Sequence, residues 1–322
     1  MISIIVCTYN RCESLKKTLA SLKGMQPVPG QDTEVIVVDN HSKDNTRQVT
    51  EAFIPAFDGK LKYVFEPLLG IATARNRGVK ESAGEVVVFV DDDCVVEKDW
   101  LRHLYETLIR QNADMVGGKI LPLFPDDTPL WARQQNIKDK FSLLDRGDKE
   151  FRVRSLKDEL YSANLAVRKK SLLEVGGFDP DFGSIGEVLF FGEEKEVLCR
   201  FLMLGKSIYY QPLAVVYHEV IRKKLRKWFC LRKAFADGMV IVRIRRKHGR
   251  AAPCLCLWRF NSVFQTLTYS LPWLIGIILA TFWRQEAKLL EKQLQFVYLC
   301  GIVYEFFCPG GLFFSGRRRK SN

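Results

Sequence analysis

Four short apolar runs of strand type alternate with stretches of helical periodicity over the first 110 residues. The runs are Ile2–Val6, Glu34–Val38, Leu61–Phe65 and Val86–Val90, and the helical stretches are Arg11–Leu22, Lys43–Ala56, Ile71–Glu81 and Trp100–Arg110. Consecutive β-branched and aromatic residues are typical of strands that are buried on both faces. The alternating order therefore predicts an α/β fold in which helices flank a parallel sheet. Asn10, with Glu13 three residues later, predicts a capping box at the start of the first helix.

The fourth run ends in three adjacent aspartates, in the stretch EVVVFVDDDCVV. Crowded carboxylates repel each other, and each costs more free energy as it leaves water. An Asp-rich turn would explain them, and so would a divalent cation, which takes oxygen ligands. Because ligands of parallel sheets bind beyond the carboxyl ends of the strands, we expect Asn10, Asp39 and Asp91–Asp93 to converge on one crevice. The GxGxxG and GxxxxGK[ST] signatures are absent from the sequence.

The length and the cysteines narrow the class of protein. A chain of 322 residues can form one large domain with an accessory region, or two domains. Its nine cysteines are scattered and include no CxxC pair. That distribution predicts reduced thiols in a cytosolic compartment.

The positive charge is concentrated in one segment. The net charge is +12, and the segment 219–259 carries 13 Lys or Arg against two acids. Such a segment suits nucleic acid or an anionic membrane surface. Apolar residues in this segment fit one helical stripe with Lys and Arg opposite, which predicts a basic amphipathic helix. The stripe consists of Ile221, Leu225, Trp228, Phe235, Met239 and Val242.

Two apolar stretches follow the basic segment. Val263–Trp283 has 21 residues without a charge, which is long enough to cross a bilayer although polar residues interrupt it. The second stretch, 296–314, contains Glu305 and is predicted to be re-entrant, interfacial or packed against protein. Positive flanks on both sides predict attachment at the cytoplasmic face of the cell membrane, and the aromatic content favours a membrane surface over nucleic acid. The alternative for this region is a water-soluble helical subdomain.

Seven pieces of the sequence form a pattern in this order: IIVCTYNR, VIVVDNHSKDNT, GIATARNRG, VFVDDDCVVEKDWL, SANLAVRKKSLLEVGGFD, GEEKEVLCRFLMLGKSIYYQP and VVYHEV. Together they resemble the motifs of the family 2 glycosyltransferases, which have a GT-A fold. They cover about residues 1–220. The predicted domains are 1–218, with a nucleotide-binding half 1–93 and an acceptor half 94–218, and a helical membrane-associated region 219–322. The family's processive Gln-x-x-Arg-Trp signature is missing, so a single transfer per acceptor is expected.

The resemblance implies a nucleotide-sugar donor and a divalent metal, Mg²⁺ or Mn²⁺. By similarity Asp93 is a metal ligand, and His218 occupies the position of a second metal ligand in some relatives. Asp91 and Asp92 are implied to approach the donor's ribose. The residues implied to form the nucleotide pocket are Thr8, Tyr9, Asp39 and Arg75.

The resemblance also implies inversion at the anomeric carbon, with a carboxylate as general base. The family usually has Glu-Asp where this chain has Glu193-Glu194. Glu194 takes the Asp position and is the candidate base, with Glu193 beside it. Because Glu is one methylene longer than Asp, its carboxylate must be set back or angled differently.

Two alternative functions fit parts of the same sequence. A nucleotidyltransferase also places aspartates around Mg²⁺ at the edge of a parallel sheet, but it would have a Gly-rich loop after the first strand, and CTYNRCES contains no glycine. A catalytically inactive membrane-bound scaffold could retain the fold alone. The acceptor of an active enzyme would be a glycan or a lipid-linked sugar.

Overall fold

The computed structural model describes residues 1–185, 190–249 and 286–307. The chain divides into two compact units. The first comprises the described residues of Met1–Phe124, Ser142–Gly186 and Glu193–Val220. The second comprises those of Pro125–Phe141, Glu187–Gly192 and Ile221–Asn322.

Strands of the first unit form one mixed sheet. They are β1 (Ile2–Thr8), β2 (Thr33–Asp39), β3 (Leu61–Phe65), β4 (Val86–Asp91), β5 (Cys94–Val96), β6 (Met115–Leu123), β7 (Phe151–Arg152), β8 (Leu165–Arg168) and β9 (Ile208–Glu219). Their order is β3-β2-β1-β4-β8-β6-β9-β5, and β7 also pairs with β9. The strands β3, β2, β1 and β4 are parallel, as predicted, and β8 joins β4 in the antiparallel sense.

Helices flank the sheet and follow its strands. In the first unit they are α1 (Cys12–Lys23), α2 (Thr46–Phe53), α3 (Ile71–Glu81), α4 (Trp100–Arg110), α5 (Lys169–Glu174) and α6 (Glu193–Met203). Helix α1 packs through one apolar face, because its buried residues Leu15, Leu19 and Leu22 recur at helical spacing. Helices α3 and α4 have the predicted bounds, whereas α2 is shorter than the predicted 43–56.

The capping box predicted at Asn10 is wrong. Arg11 occupies the N-cap position of α1, and no side chain caps the helix. The amide oxygen of Asn10 instead accepts a hydrogen bond from the backbone N–H of Lys43, 2.7 Å away. A tertiary partner therefore takes the oxygen that a capping box would use, and Asn10 adopts a positive φ of 52°.

A register shift between β6 and β9 precedes the part of β9 that contains His218. Gly118 pairs with Gln211 but Lys119 pairs with Val215, so β9 carries three extra residues between the two pairs. The Asn164 side chain bridges the shift by donating to the carbonyl oxygens of Lys119 and Ala214, at 2.9 and 2.8 Å. Beyond the shift, His218 lies opposite Cys94 of β5, the residue that follows the three aspartates.

The second unit is built on two long helices, α7 (Lys227–His248) and α8 (Glu286–Phe307). They cross closely at two glycines: a Cβ added to Gly301 would lie 2.0 Å from the carbonyl oxygen of Phe235, and one added to Gly238 would lie 2.1 Å from that of Tyr298. Glu305 of α8 is 2% exposed and pairs with Arg243, whose Nε lies 2.8 Å from Oε1. The acid within the second apolar stretch is thus neutralised by protein contacts.

The structure corrects the predicted amphipathic stripe. Ile221 and Leu225 precede α7, and Trp228 at its start is 69% exposed. Met239 of the predicted stripe does lie on the buried face of α7, which also includes Cys230 and Ala234. None of the described helices has the length and apolar character needed to cross a membrane. The candidate span 263–283 lies outside the described residues, as do residues 308–314 of the second stretch.

Candidate active site

Three neighbouring parallel strands end at one edge of the sheet and bring the predicted polar residues together. In the register of β1 with its two neighbours, Thr8 pairs with Asp39 and Cys7 pairs with Asp91. The convergence predicted from the strand order is therefore confirmed for Asp39 and for the triple aspartate. Asn10 lies at the same edge, since its backbone N–H donates to Ser42 Oγ at 2.9 Å in the loop after β2.

The β2 end of this edge is held by hydrogen bonds of its own. The Asp39 carboxylate is buried and accepts from the backbone N–H of Ser42 and from the Tyr63 hydroxyl, both at 2.8 Å. The neighbouring Asn40 side chain accepts from the Gly70 N–H at 2.8 Å, and so fixes the loop before α3. Thr8 is buried and Tyr9 is half-buried. The geometry places these residues at the site without assigning a ligand to them.

The three aspartates are not equivalent. The Asp91 side chain is 33% exposed, whereas those of Asp92 and Asp93 are 6% and 3% exposed. Arg11 Nη1 lies 3.1 Å from Asp92 Oδ1 and 2.8 Å from Asp93 Oδ2, and so neutralises part of the buried negative charge. Burial raises the pKa of Asp92 to about 6, with Arg11 opposing the shift. Burial also raises the pKa of Asp91 against the effect of Arg75.

Asp91, Asp93 and His218 together offer a set of metal ligands. One ligand atom from each lies within 4.8 Å of the others. His218 is 2% exposed, its Nε2 lies 3.2 Å from Asp93 Oδ1, and its Nδ1 has no hydrogen-bond partner among the described residues. The two carboxylates suit Mg²⁺ or Mn²⁺, and the imidazole beside them suits a transition-metal ion better than Mg²⁺. The residues present therefore fit a divalent cation.

Arg75 of α3 links this cluster to the two glutamates at the start of α6. Its guanidinium is 6% exposed and lies 2.6 Å from Glu193 Oε1, 3.3 Å from Glu194 Oε1 and 3.7 Å from Asp91 Oδ1. Burial raises the pKa of Glu193 to about 7, an effect larger than the opposing one of Arg75. The structure thus places Arg75, predicted for the nucleotide pocket, among carboxylates.

The two glutamates differ in what surrounds them. Glu193 is 2% exposed and directed at Arg75. Glu194 is 16% exposed and accepts hydrogen bonds from Arg75 and from both the backbone N–H and the hydroxyl of Ser162. Glu194 is therefore the more accessible of the two carboxylates.

Two residues of the site escape prediction from the sequence. Arg11 lies three residues beyond the end of β1. A sequence-based signal for its role is that this cation is expected at the same end of the sheet as the three aspartates. Ser162 lies 32 residues from Glu194, and no local pattern connects the two.

Residues 3–176 match the family described as Glycosyl transferase family 2, which is more than half of the chain. The chain belongs to this family. The mixed sheet with flanking helices is the GT-A type architecture that the sequence predicts, and it is shared by a solved mannosyltransferase, PcManGT from Pyrobaculum calidifontis in complex with GDP-Man and Mn²⁺. That likeness has a TM-score of 0.61 and covers 95% of this chain and 87% of that one. Because the sequence identity is only 18%, the likeness shows the fold alone.

Curated relatives show the same family resemblance in sequence. Glycosyltransferase AglE of Haloferax volcanii is 29% identical over 190 residues, 58% of this chain and 59% of that protein. Succinoglycan biosynthesis protein ExoM of Rhizobium meliloti is 28% identical over 251 residues, 77% of each chain. The match therefore spans under two thirds of AglE and about three quarters of ExoM.

Proposed function

We propose that the protein transfers one sugar from a nucleotide-sugar donor to a hydroxyl group of an acceptor, by a metal-assisted displacement that inverts the anomeric carbon. The observation that carries the proposal is the link through Arg75 between a set of metal ligands and an accessible carboxylate, Glu194. A displacement needs stabilisation of the leaving group at one end and a base for the nucleophile at the other. In this proposal a cation bound by the metal-ligand set would supply the first, and Glu194 would supply the second.

In the proposed reaction, the anomeric carbon exchanges the diphosphate oxygen for the acceptor oxygen in one step. The acceptor oxygen forms a bond to the anomeric carbon while the bond from that carbon to the diphosphate oxygen breaks. The hydroxyl proton passes to Glu194, and the diphosphate leaves with the electron pair. A divalent cation held by Asp93 and His218, with Asp91 beside them, would supply neutralisation of the charge that develops on the diphosphate.

The nucleotide is proposed to bind over the ends of β1 and β2. Tyr9 offers a half-buried aromatic face. Thr8, Asp39 and Asp92 would contribute polar contacts from the same edge. Arg75 contributes indirectly in this scheme, because its buried guanidinium keeps Glu193 and Glu194 in place.

We further propose a glycan or a lipid-linked sugar as the acceptor and the cytoplasmic face of the cell membrane as the place of action. ExoM is described as a succinoglycan biosynthesis protein, which supports cell-surface polysaccharide assembly as the context. Residues 1–218 would form the catalytic domain and 219–322 the membrane-associated region. The exposed Trp228 within a strongly basic segment supports contact with an anionic surface.

A donor panel tests the proposed reaction. The purified chain is incubated with nucleotide sugars that differ in base and sugar, with Mn²⁺, with Mg²⁺ or with EDTA, and nucleoside diphosphate release is measured. We expect release from one donor class in the presence of metal. No release from any donor would favour the scaffold, and pyrophosphate release from a nucleoside triphosphate and a sugar phosphate would favour the nucleotidyltransferase.

A further inference from the structure

The two carboxylate oxygens of Glu194 have different surroundings. Oε1 accepts hydrogen bonds from the Ser162 backbone N–H at 2.8 Å, from the Ser162 hydroxyl, and from Arg75 Nη2 at 3.3 Å. Within the described residues, Oε2 accepts none. One oxygen is therefore held by three donors, and the other is left for a ligand of the site.

The donor that holds Oε1 is itself fixed by the sheet. Ser162 begins a short 3-10 turn, Ser162–Asn164, that leads directly into β8, and it is fully buried. Asn164 at the end of that turn is hydrogen-bonded to two carbonyl oxygens, those of Lys119 and Ala214. A buried hydroxyl on so constrained a turn has little freedom to follow a moving carboxylate.

The hydrogen bonds from Ser162 restrict the direction of the long Glu194 side chain. A general base acts well only when one lone pair meets the proton of the acceptor hydroxyl. The Glu194 carboxylate stands at the end of a long side chain with three rotatable bonds, so it needs a partner that fixes its direction. Ser162 donates two hydrogen bonds to Oε1 of Glu194 and thereby defines the direction in which Oε2 points.

We infer that Ser162 is a positioning residue that holds Glu194 Oε1 so that Oε2 faces the acceptor hydroxyl. This inference rests on the proposed function, in which Glu194 takes the acceptor proton. Arg75 completes the clamp from another element, α3. Ser162 itself contacts neither the nucleotide-sugar donor nor the acceptor molecule in this scheme.

The test compares Ser162→Ala with Ser171→Ala. Ser171 is also a buried serine that donates to a carboxylate, at 2.5 Å to Asp114 Oδ1, but it plays no part in the site. We expect Ser162→Ala to lower kcat about 10- to 100-fold, the usual worth of one hydrogen bond to a charged group. The KM for the donor should stay within about threefold, since the change does not alter the donor contacts. Ser171→Ala should keep the wild-type kcat.

A double-mutant cycle separates positioning from a general structural role. In a Glu194→Gln background, Ser162→Ala should have almost no further effect on kcat, because the base that it positions is already gone. An equal further loss in that background would overturn the inference, and so would a Ser162→Ala kcat within about threefold of wild type. Ser162→Cys, which keeps the volume but offers only a weak donor, gives the same test if the alanine variant does not fold. A wild-type chain that releases no nucleoside diphosphate overturns the proposed function and this inference with it.

Discussion

At the scale of single residues, Asp93 is the centre of the metal-ligand cluster. Its Oδ1 faces His218 and its Oδ2 faces Arg11. We expect Asp93→Asn to weaken Mn²⁺ binding at least about tenfold, because a ligand carboxylate is lost, and to abolish transfer. Titration of Mn²⁺ followed by electron paramagnetic resonance measures the affinity. Asp32→Asn, an exposed acid paired with Lys60, is the control. Unchanged Mn²⁺ affinity of Asp93→Asn, or full wild-type activity in excess EDTA, would contradict the metal assignment.

A second prediction at this scale distinguishes the two glutamates. Glu194→Gln keeps size and shape but removes the basic lone pair, so transfer should fall by about 10²- to 10⁴-fold. Donor affinity should hardly change, since the proposed donor contacts lie on other residues. Stopped-flow transfer kinetics and equilibrium donor binding provide the two measurements. If Glu194→Gln is active and Glu193→Gln is inactive, the base is Glu193, and if both are active the base lies elsewhere.

The sequence predicts where residues of this site lie better than it predicts which side chains contact each other. Asp39 and the triple aspartate could be placed at one edge because each ends an apolar run and the runs alternate with helices. The pairing of Arg75 with Glu193 spans 118 residues, and neither local sequence carries a sign of it. Such contacts depend on how α3 and α6 come together, which apolar periodicity does not specify.

At the scale of elements, the strands are predicted more accurately than the helix ends. β3 has the predicted bounds, and β1, β2 and β4 extend the predicted runs by one or two residues. Helix α2 begins later than predicted because Asp44 accepts from the backbone N–H groups of both Cys12 and Thr46, an arrangement that needs tertiary contacts. Periodicity does not predict the rest of the sheet, because its strands pair in both senses and include strands as short as β5 and β7, which leave little pattern.

The crossing of α7 and α8 gives a prediction about stability. An alanine Cβ at Gly301 would lie 2.0 Å from the carbonyl oxygen of Phe235, which is a backbone atom and cannot rotate away. We expect Gly301→Ala to lower the free energy of unfolding by about 1–3 kcal/mol, the usual cost of overpacking. Chemical denaturation measures the loss.

The control for this crossing is Gly24→Ala. A Cβ at Gly24 would have its nearest neighbour at 3.5 Å, an ordinary contact, and Gly24 has a φ of −82°. That variant should be as stable as wild type or slightly more stable. Equal unfolding curves for Gly301→Ala and wild type would show that the helices are not packed this closely.

At the scale of the whole molecule, Glu193 makes the stability of the fold depend on pH. Its pKa is raised by burial to about 7 in the folded chain, against a usual value near 4.5. Between these two values the folded state binds more protons than the unfolded state, so stability falls as the pH rises through this window. The slope from one such group reaches about 1.4 kcal/mol per pH unit.

The pH dependence is tested in the metal-free protein by urea denaturation from pH 5 to pH 8. The free energy of unfolding of the wild type should decline more steeply over this range than that of Glu193→Gln, which cannot titrate. The difference between the two curves isolates the contribution of this carboxyl group from those of other acids. Parallel curves would mean that Glu193 stays ionised throughout the range.

The uneven distribution of charge gives the last prediction, which concerns attachment to a membrane. The segment 219–259 holds 13 Lys or Arg against two acids, and Trp228 within it is 69% exposed. Each basic residue near an anionic surface contributes about 1 kcal/mol of attraction, and salt screens that attraction over about 10 Å at 0.1 M. The full chain should therefore sediment with vesicles containing phosphatidylserine at low salt, but much less with neutral vesicles.

Trp228→Ser should weaken this binding because an indole no longer enters the interface, whereas Leu213→Ser, which removes a 61% exposed apolar side chain from the first unit, should not. Release by high salt would show that the surface charge provides the attachment, and release by detergent alone would show that apolar insertion dominates. A chain that stays in the supernatant with both kinds of vesicle at low salt has no such membrane affinity, and the proposed location would then be wrong.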